Sequence, residues 1–99
     1  MAVLETFNPS YGAGVTVAPG VASASSLVGF GRKSLCLTNL GAVVCYVRVG
    51  AAGIAATAAD YPVPVGGQVS ITKDQDHTTV AYITASGTGS LHIIPGEGF

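Results

Sequence analysis

Apolar and polar positions alternate along much of this chain with the two-residue period of a β-strand, in runs that are short. "KSLCLTN" (33–39), "AVVCYVRVG" (42–50), "QVSIT" (68–72), "TTVAYITA" (78–85) and "SLHII" (90–94) are the clearest of them. Gly, Pro, Asn and Ser fill the gaps, leaving no window long enough for an amphipathic helix. Even the Ala-rich "AAGIAATAADYPVPVGG" (51–67) is broken by Gly53, Pro62 and Pro64.

Read in order, the pattern predicts a strand over Val15 to Ala18, and a strand or extended arm over 21–28. The two firm strands 33–39 and 42–50 are expected to form a hairpin around "NLGA", with Gly41 available for a positive φ. A short strand near Ile54 to Thr57 is expected next, followed by a loop. "QVSIT" is then a strand, "KDQDH" a polar turn and "TTVAYITA" a longer strand that "SGTG" turns back onto "SLHII" as a second hairpin. The expected fold is all-β, a single small β-sandwich or jelly-roll-like barrel of about seven or eight short antiparallel strands. Residues 1–12 are expected to be an N-terminal arm and 13–99 the domain.

A hairpin turning at Leu40 and Gly41 pairs Leu35 with Tyr46, Cys36 with Cys45 and Leu37 with Val44. One face then carries Leu35, Leu37, Val44 and Tyr46; the other carries Cys36, Val43, Cys45 and Val47. Both are apolar, so the pair is expected to be covered on both sides, by its sandwich partner and by a loop or another subunit. The last strand has the same two-sided character, with Leu91 and Ile93 on one face and His92 and Ile94 on the other. Pro95 is expected to end its ladder, leaving 96–99 as a short contact segment tipped by Phe99.

Composition sharpens this. Of 99 residues, 48% are hydrophobic and 9% charged, where an average domain carries roughly 25% charge. Surface covered by copies of the chain or by another protein explains the deficit. The net charge of −1 and the lack of clustered Lys or Arg, beyond the adjacent Arg32 and Lys33, argue against nucleic acid as a partner. The uncharged stretch 6–31 is broken by prolines and glycines, so no membrane span is expected. "MAVLETFNPS" lacks the basic and apolar regions of a signal peptide, which points to assembly in the cytoplasm.

Catalytic chemistry finds little support. A disulfide between directly opposed Cys36 and Cys45 would be strained, and both are expected to be reduced, buried and apolar in behaviour. His77 and His92 flank the second hairpin and could approach each other or Asp74 and Asp76, but no nucleophile elbow accompanies them. "DQD" (74–76) opens like a calcium loop yet has Thr79 and Ala85 where Gly and Glu are needed. "GFGRKS" (29–34) fails as a phosphate loop because Arg32 separates Gly31 from Lys33, which leaves a basic loop able to dock on an acidic surface. No cofactor, metal or small-molecule substrate is expected.

From "CLTNLGAVVCYVRVG" through "AATAADYPVPVGG" to "VAYITA" and "PGEGF", the order of elements resembles a group of small structural proteins of tailed bacteriophages. The residues carrying it are Asn39, Gly41, Val47, Gly50, Ala56, Thr57, Asp60, Pro62, Pro64, Gly66, Val80, Ala81, Ile83, Gly96, Glu97 and Gly98. The resemblance implies a capsid decoration or cement protein on the virion surface: non-enzymatic, β-sandwich or jelly-roll-like, commonly trimeric, and bound to the major capsid protein. A tail, neck or fibre component is the alternative within that class, and a small carbohydrate-binding or adhesion module the alternative outside it. Candidate subunit or shell contacts are Phe7, Tyr11, Phe30, Arg32, Lys33, Tyr46 and Phe99.

Overall fold

The computed structural model describes residues 8–28, 33–73 and 76–97. Among them it forms nine strands and no helix: β1 (Asn8–Pro9), β2 (Val15–Val17), β3 (Ala24–Leu27), β4 (Ser34–Asn39), β5 (Cys45–Gly50), β6 (Tyr61–Val63), β7 (Gln68–Thr72), β8 (Thr79–Thr84) and β9 (Leu91–Glu97). They make two antiparallel sheets. In one the order is β1-β9-β4-β7, with β2 also on β9; in the other it is β3-β8-β5-β6. Leu35, Leu37, Leu91 and Ile93 from the first sheet meet Cys45, Val47, Val63, Val80 and Tyr82 from the second. The small all-β sandwich expected from the alternation is the fold observed.

Its connections differ from those expected. β4 pairs with β7 and β9, while β5 pairs with β6 and β8. The "NLGA" segment is therefore an arch that carries the chain from one sheet to the other, not a hairpin. "SGTG" likewise takes the chain from β8 to β9 across the sandwich. Leu35 and Leu37 thus share the core with Cys45 and Val47, rather than facing Val44 and Tyr46.

The physical reason is Asn39. Buried at the end of β4, it donates from Nδ2 to the Val43 carbonyl (2.8 Å) and to the Val63 carbonyl of β6 (2.9 Å). Its Oδ1 accepts the Gly41 N–H at 3.0 Å. One side chain both shapes the turn and ties it to the opposite sheet. Gly41 does not adopt a positive φ. It is needed because a Cβ there would stand 2.6 Å from the Ser90 backbone nitrogen, where Leu40 N–H donates to the Ser90 carbonyl (2.8 Å).

Pro95 does not end its ladder either. β9 runs on to Glu97, with Pro95 opposite Leu35 and Gly96 opposite Ser34. The missing N–H falls on the other side, toward β1 and β2. Ser10 N–H donates to the Pro95 carbonyl (2.9 Å), and the Ser10 carbonyl, with no N–H to receive from Pro95, accepts instead from Ala13 N–H (3.0 Å). There the edge strand breaks into a turn through Gly12, at φ +84°, before resuming as β2. The described part of the expected N-terminal arm is thereby joined to β9 through Asn8 and Pro9.

No strand forms over Ile54 to Thr57. Residues 51–60 instead pack on the outward side of the second sheet: Ile54 lies against Gly50, and buried Ala56 donates its N–H to Ser23 Oγ beside β3 (2.8 Å). This loop supplies the second cover that the two-sided apolar pattern of β5 calls for. It is closed by Asp60. One carboxylate oxygen takes Arg48 Nη2 (2.9 Å) and Nε (3.0 Å), and the other takes the Thr57 N–H (2.7 Å). The strand missed by sequence reasoning follows at once as β6, a short edge that tolerates Pro62.

The outward side of the first sheet places Ser70, Cys36 and Ile94 in one register row and polar side chains in the next. Thr16, His92, Thr38 and Gln68 align in register across four strands. Thr16 Oγ1 and His92 Nδ1 lie 3.0 Å apart, and Gln68 Nε2 donates to Thr38 Oγ1 at 3.0 Å.

Asn39→Ala removes the buried bond to the Val63 carbonyl and the part-buried bonds to the Val43 carbonyl and the Gly41 N–H, and should cost about 3 kcal/mol of unfolding free energy in urea titration. Gly41→Ala, which forces a methyl into backbone, should cost about 1–3 kcal/mol by the same measurement. Asp60 is held below the ordinary carboxylate range, chiefly by the Thr57 backbone hydrogen bond and then by Arg48. A lowered native value means that the loop's anchor is intact at neutral pH and is lost as pH falls through that value. The protection factors of the Thr57 and Ala59 amides against hydrogen exchange should therefore fall on acidification, and Asp60→Asn should remove that acid dependence.

Candidate functional site

Four connections meet at one end of the sandwich: 18–23, 40–44, 64–67 and 85–90, each crossing between the sheets. They are laced by backbone hydrogen bonds. Asn39 N–H donates to the Gly67 carbonyl (2.9 Å), Leu40 N–H to Ser90, Gly89 N–H to Pro19 and Thr84 N–H to Gly20 (each 2.8 Å). None of the four contains Asp, Glu, Lys, Arg or His. Val21, Leu40 and Val65 nevertheless stand 64%, 60% and 53% exposed there. Beside them Val43, Val44, Tyr46, Ala85 and Ser86 line an open hollow of about 280 Å³.

Charge gathers at the other end. Lys33, Asp60, Lys73, Asp76 and Glu97 all lie at or beyond the opposite ends of the strands, and Arg48 of β5 reaches Asp60. Lys73 is buried, and its N–H donates to the Lys33 carbonyl at 2.7 Å. Among the described residues the molecule therefore has an uncharged end and a charged one, the latter also exposing Leu27 and Tyr61.

The expected contact residues do not converge. Tyr46 lines the hollow of the uncharged end and is half-buried. Tyr11 is 86% exposed in the break between β1 and β2, along a sheet edge. Lys33 lies at the charged end. Phe7, Phe30, Arg32 and Phe99 lie outside the described residues. Val21, Leu40 and Val65, which dominate the uncharged end, were missed because each sits singly in a turn; only the arches bring them together.

A second concavity, of about 580 Å³, opens between the sheets where β6 and β7 form their edges. Val47, Val49 and Ile71 face it, with Tyr61, Lys73 and His77 on its walls. His92 lies near the uncharged end and His77 at the charged one, so the two do not approach each other. Cys36 and Cys45 are free and buried, on different sheets. Burial pushes the Cys45 thiol above its ordinary value, away from a reactive thiolate, and does the same to the Tyr82 phenol. Among the described residues no three of His, Cys, Asp and Glu come together as a metal site.

No family model matches the chain, and no curated protein matches it. Among solved structures the fold is similar to hydroxypropylphosphonic acid epoxidase from S. wedmorenis, determined in complex with fosfomycin. The TM-score is 0.50 at 13% identity, covering 83% of this chain and 42% of that one. The chain thus spans less than half of that protein, and a likeness at this identity concerns the fold alone.

Proposed function

We propose that this chain is a non-enzymatic structural protein of a bacteriophage particle that decorates and stabilises the shell by protein–protein contact, docking through its uncharged end. The observation that carries this reading is the segregation of charge: four loops at one end hold no ionisable residue, three of them expose Val21, Leu40 and Val65, and two of them contribute to the Tyr46 hollow. An apolar, charge-free patch with hydrogen-bonding backbone near it has the make-up of an interface core, where charge is depleted. Stabilisation then follows from mass action, because contacts made only to the assembled shell favour assembly.

The sequence resemblance supports the same reading. Asn39 and Gly41, which carry it, build the arch of the docking end, while Thr57 and Asp60 close the loop that covers the second sheet. A tail or neck placement would use the same end against a different partner surface.

Leu40→Asp places a carboxylate at an exposed position of the uncharged end, where the fold should be unaffected. It should weaken co-sedimentation with assembled phage heads of the cognate virus by about tenfold or more, equivalent to about 1.4 kcal/mol. Lys33→Asp, at the charged end, should leave head binding unchanged. Equal binding by wild type and Leu40→Asp would overturn the assignment of this end, and no binding by the wild type would overturn the virion reading.

A further inference from the structure

Among the described residues the two sheets have four free edges, and three of them are guarded or short. The β1/β2 edge is interrupted at Ser10 to Ala13. β6 has three residues with Pro62 at its centre. β3 has four residues, beside the 51–60 loop that is anchored on Ser23. The edge of β7 is different. Its five residues, Gln-Val-Ser-Ile-Thr, contain no Pro, Gly or charge, alternate regularly in exposure, and pair among the described residues only with β4. Proteins ordinarily blunt such an edge with a charge, a proline or a bulge, because its unpaired N–H and C=O groups are a template for another strand.

The larger concavity lies alongside this edge. Ser70 and Thr72 of β7 border it, and Val47, Val49 and Tyr61 of the facing sheet form its floor and wall. A strand added to β7 would project alternate side chains into that space.

We infer that the added strand is β7 of a second copy, paired antiparallel about a two-fold axis through Ser70. The argument is self-complementarity. In that register Ser70 meets its own counterpart, Gln68 meets Thr72 and Val69 meets Ile71, so polar side chains meet polar ones outside and branched apolar ones meet inside. Lys73 falls opposite Gly67, so no like charges meet across the seam. The inward Val69 and Ile71 of each copy then cover the space above Val47, Val49 and Tyr61 of the other. The interface is isologous, as two-fold homodimers require. It closes both β7 edges and leaves no place for a third copy, in contrast to the trimer that the sequence resemblance implies. It also sends the two uncharged ends in opposite directions along the strands.

Ser70 is exposed and on the axis, so it tests this directly. The wild type should sediment at micromolar concentration at twice the chain mass of 9.8 kDa. Ser70→Lys and Ser70→Asp each bring like charges face to face, and each alone should sediment as a monomer, with the dimer dissociation constant raised about tenfold or more. Mixing the two variants in equal amounts should restore the dimer. Ser70→Cys should be joined into a covalent dimer by a short thiol cross-linker, since Cys36 and Cys45 are buried. A monomeric wild type, an oligomer that the charge substitutions leave unchanged, or a Ser70→Cys protein that is not joined would each overturn the proposal. Head binding is lost through Leu40→Asp and dimerisation through Ser70→Lys, so failure of one reading is distinguishable from failure of the other.

Discussion

The sandwich depends on one buried polar side chain. Asn39 ends β4 inside the interface between the sheets, and its amide meets three backbone groups: two within its own turn and one on β6 in the facing sheet. A buried amide left unpaired would cost a few kcal/mol, so the fold is specified by the geometry that satisfies it. That geometry carries the chain from one sheet to the other within five residues. Gly41 then fits against Ser90, which fixes the start of β9 relative to β4. The hydrophobic core would tolerate several pairings of these strands; the Asn39 bonds select the one observed.

Strand positions were legible in the alternation because each of these strands has one face in a dry core, which in the first sheet Leu35, Leu37, Leu91 and Ile93 fill. The pairing was not legible. An arch and a hairpin both leave apolar residues on either side of a turn, and what separates them is a carbonyl at Val63, 24 residues beyond Asn39. The same non-locality hid β6. Pro62 reads as a strand breaker, and only its placement on a sheet edge makes it acceptable. Between Gly53 and Pro62 a short strand is the local reading of Ile54 to Thr57, whereas Ile54 lies against Gly50 in a loop. The uncharged end was present in the sequence as four loops lacking ionisable residues, but nothing local says that these four loops are neighbours.

The low charge of the chain has a structural counterpart. One outward register row of the first sheet is filled by Thr16, His92, Thr38 and Gln68, which bond laterally in pairs, and the next carries Ser70, Cys36 and Ile94, so the face uses no charge. The outward side of the second sheet is roofed by residues 51–60, with the Arg48–Asp60 pair at its margin. Among the described residues, charges other than Arg48 lie at the end where β3 leads into β4 and β7 into β8. Edge management is equally economical. Pro95 breaks one edge from the neighbouring strand and Pro62 interrupts another from within, which makes the plain edge of β7 an exception that calls for a partner.

The uncharged end raises a question of magnitude. Val21, Leu40 and Val65 are already partly covered, so completing their burial gains about 1 kcal/mol apiece. Three such gains do not offset the cost of association, on the order of 4–15 kcal/mol. A single end used once would therefore bind weakly unless the Gly-rich arches around it also contributed backbone hydrogen bonds. The same weakness becomes useful where many copies act on one lattice, because each contact needs to add only a little. An apolar end too small to bind tightly, together with an edge free to pair, describes a part whose affinity comes from number.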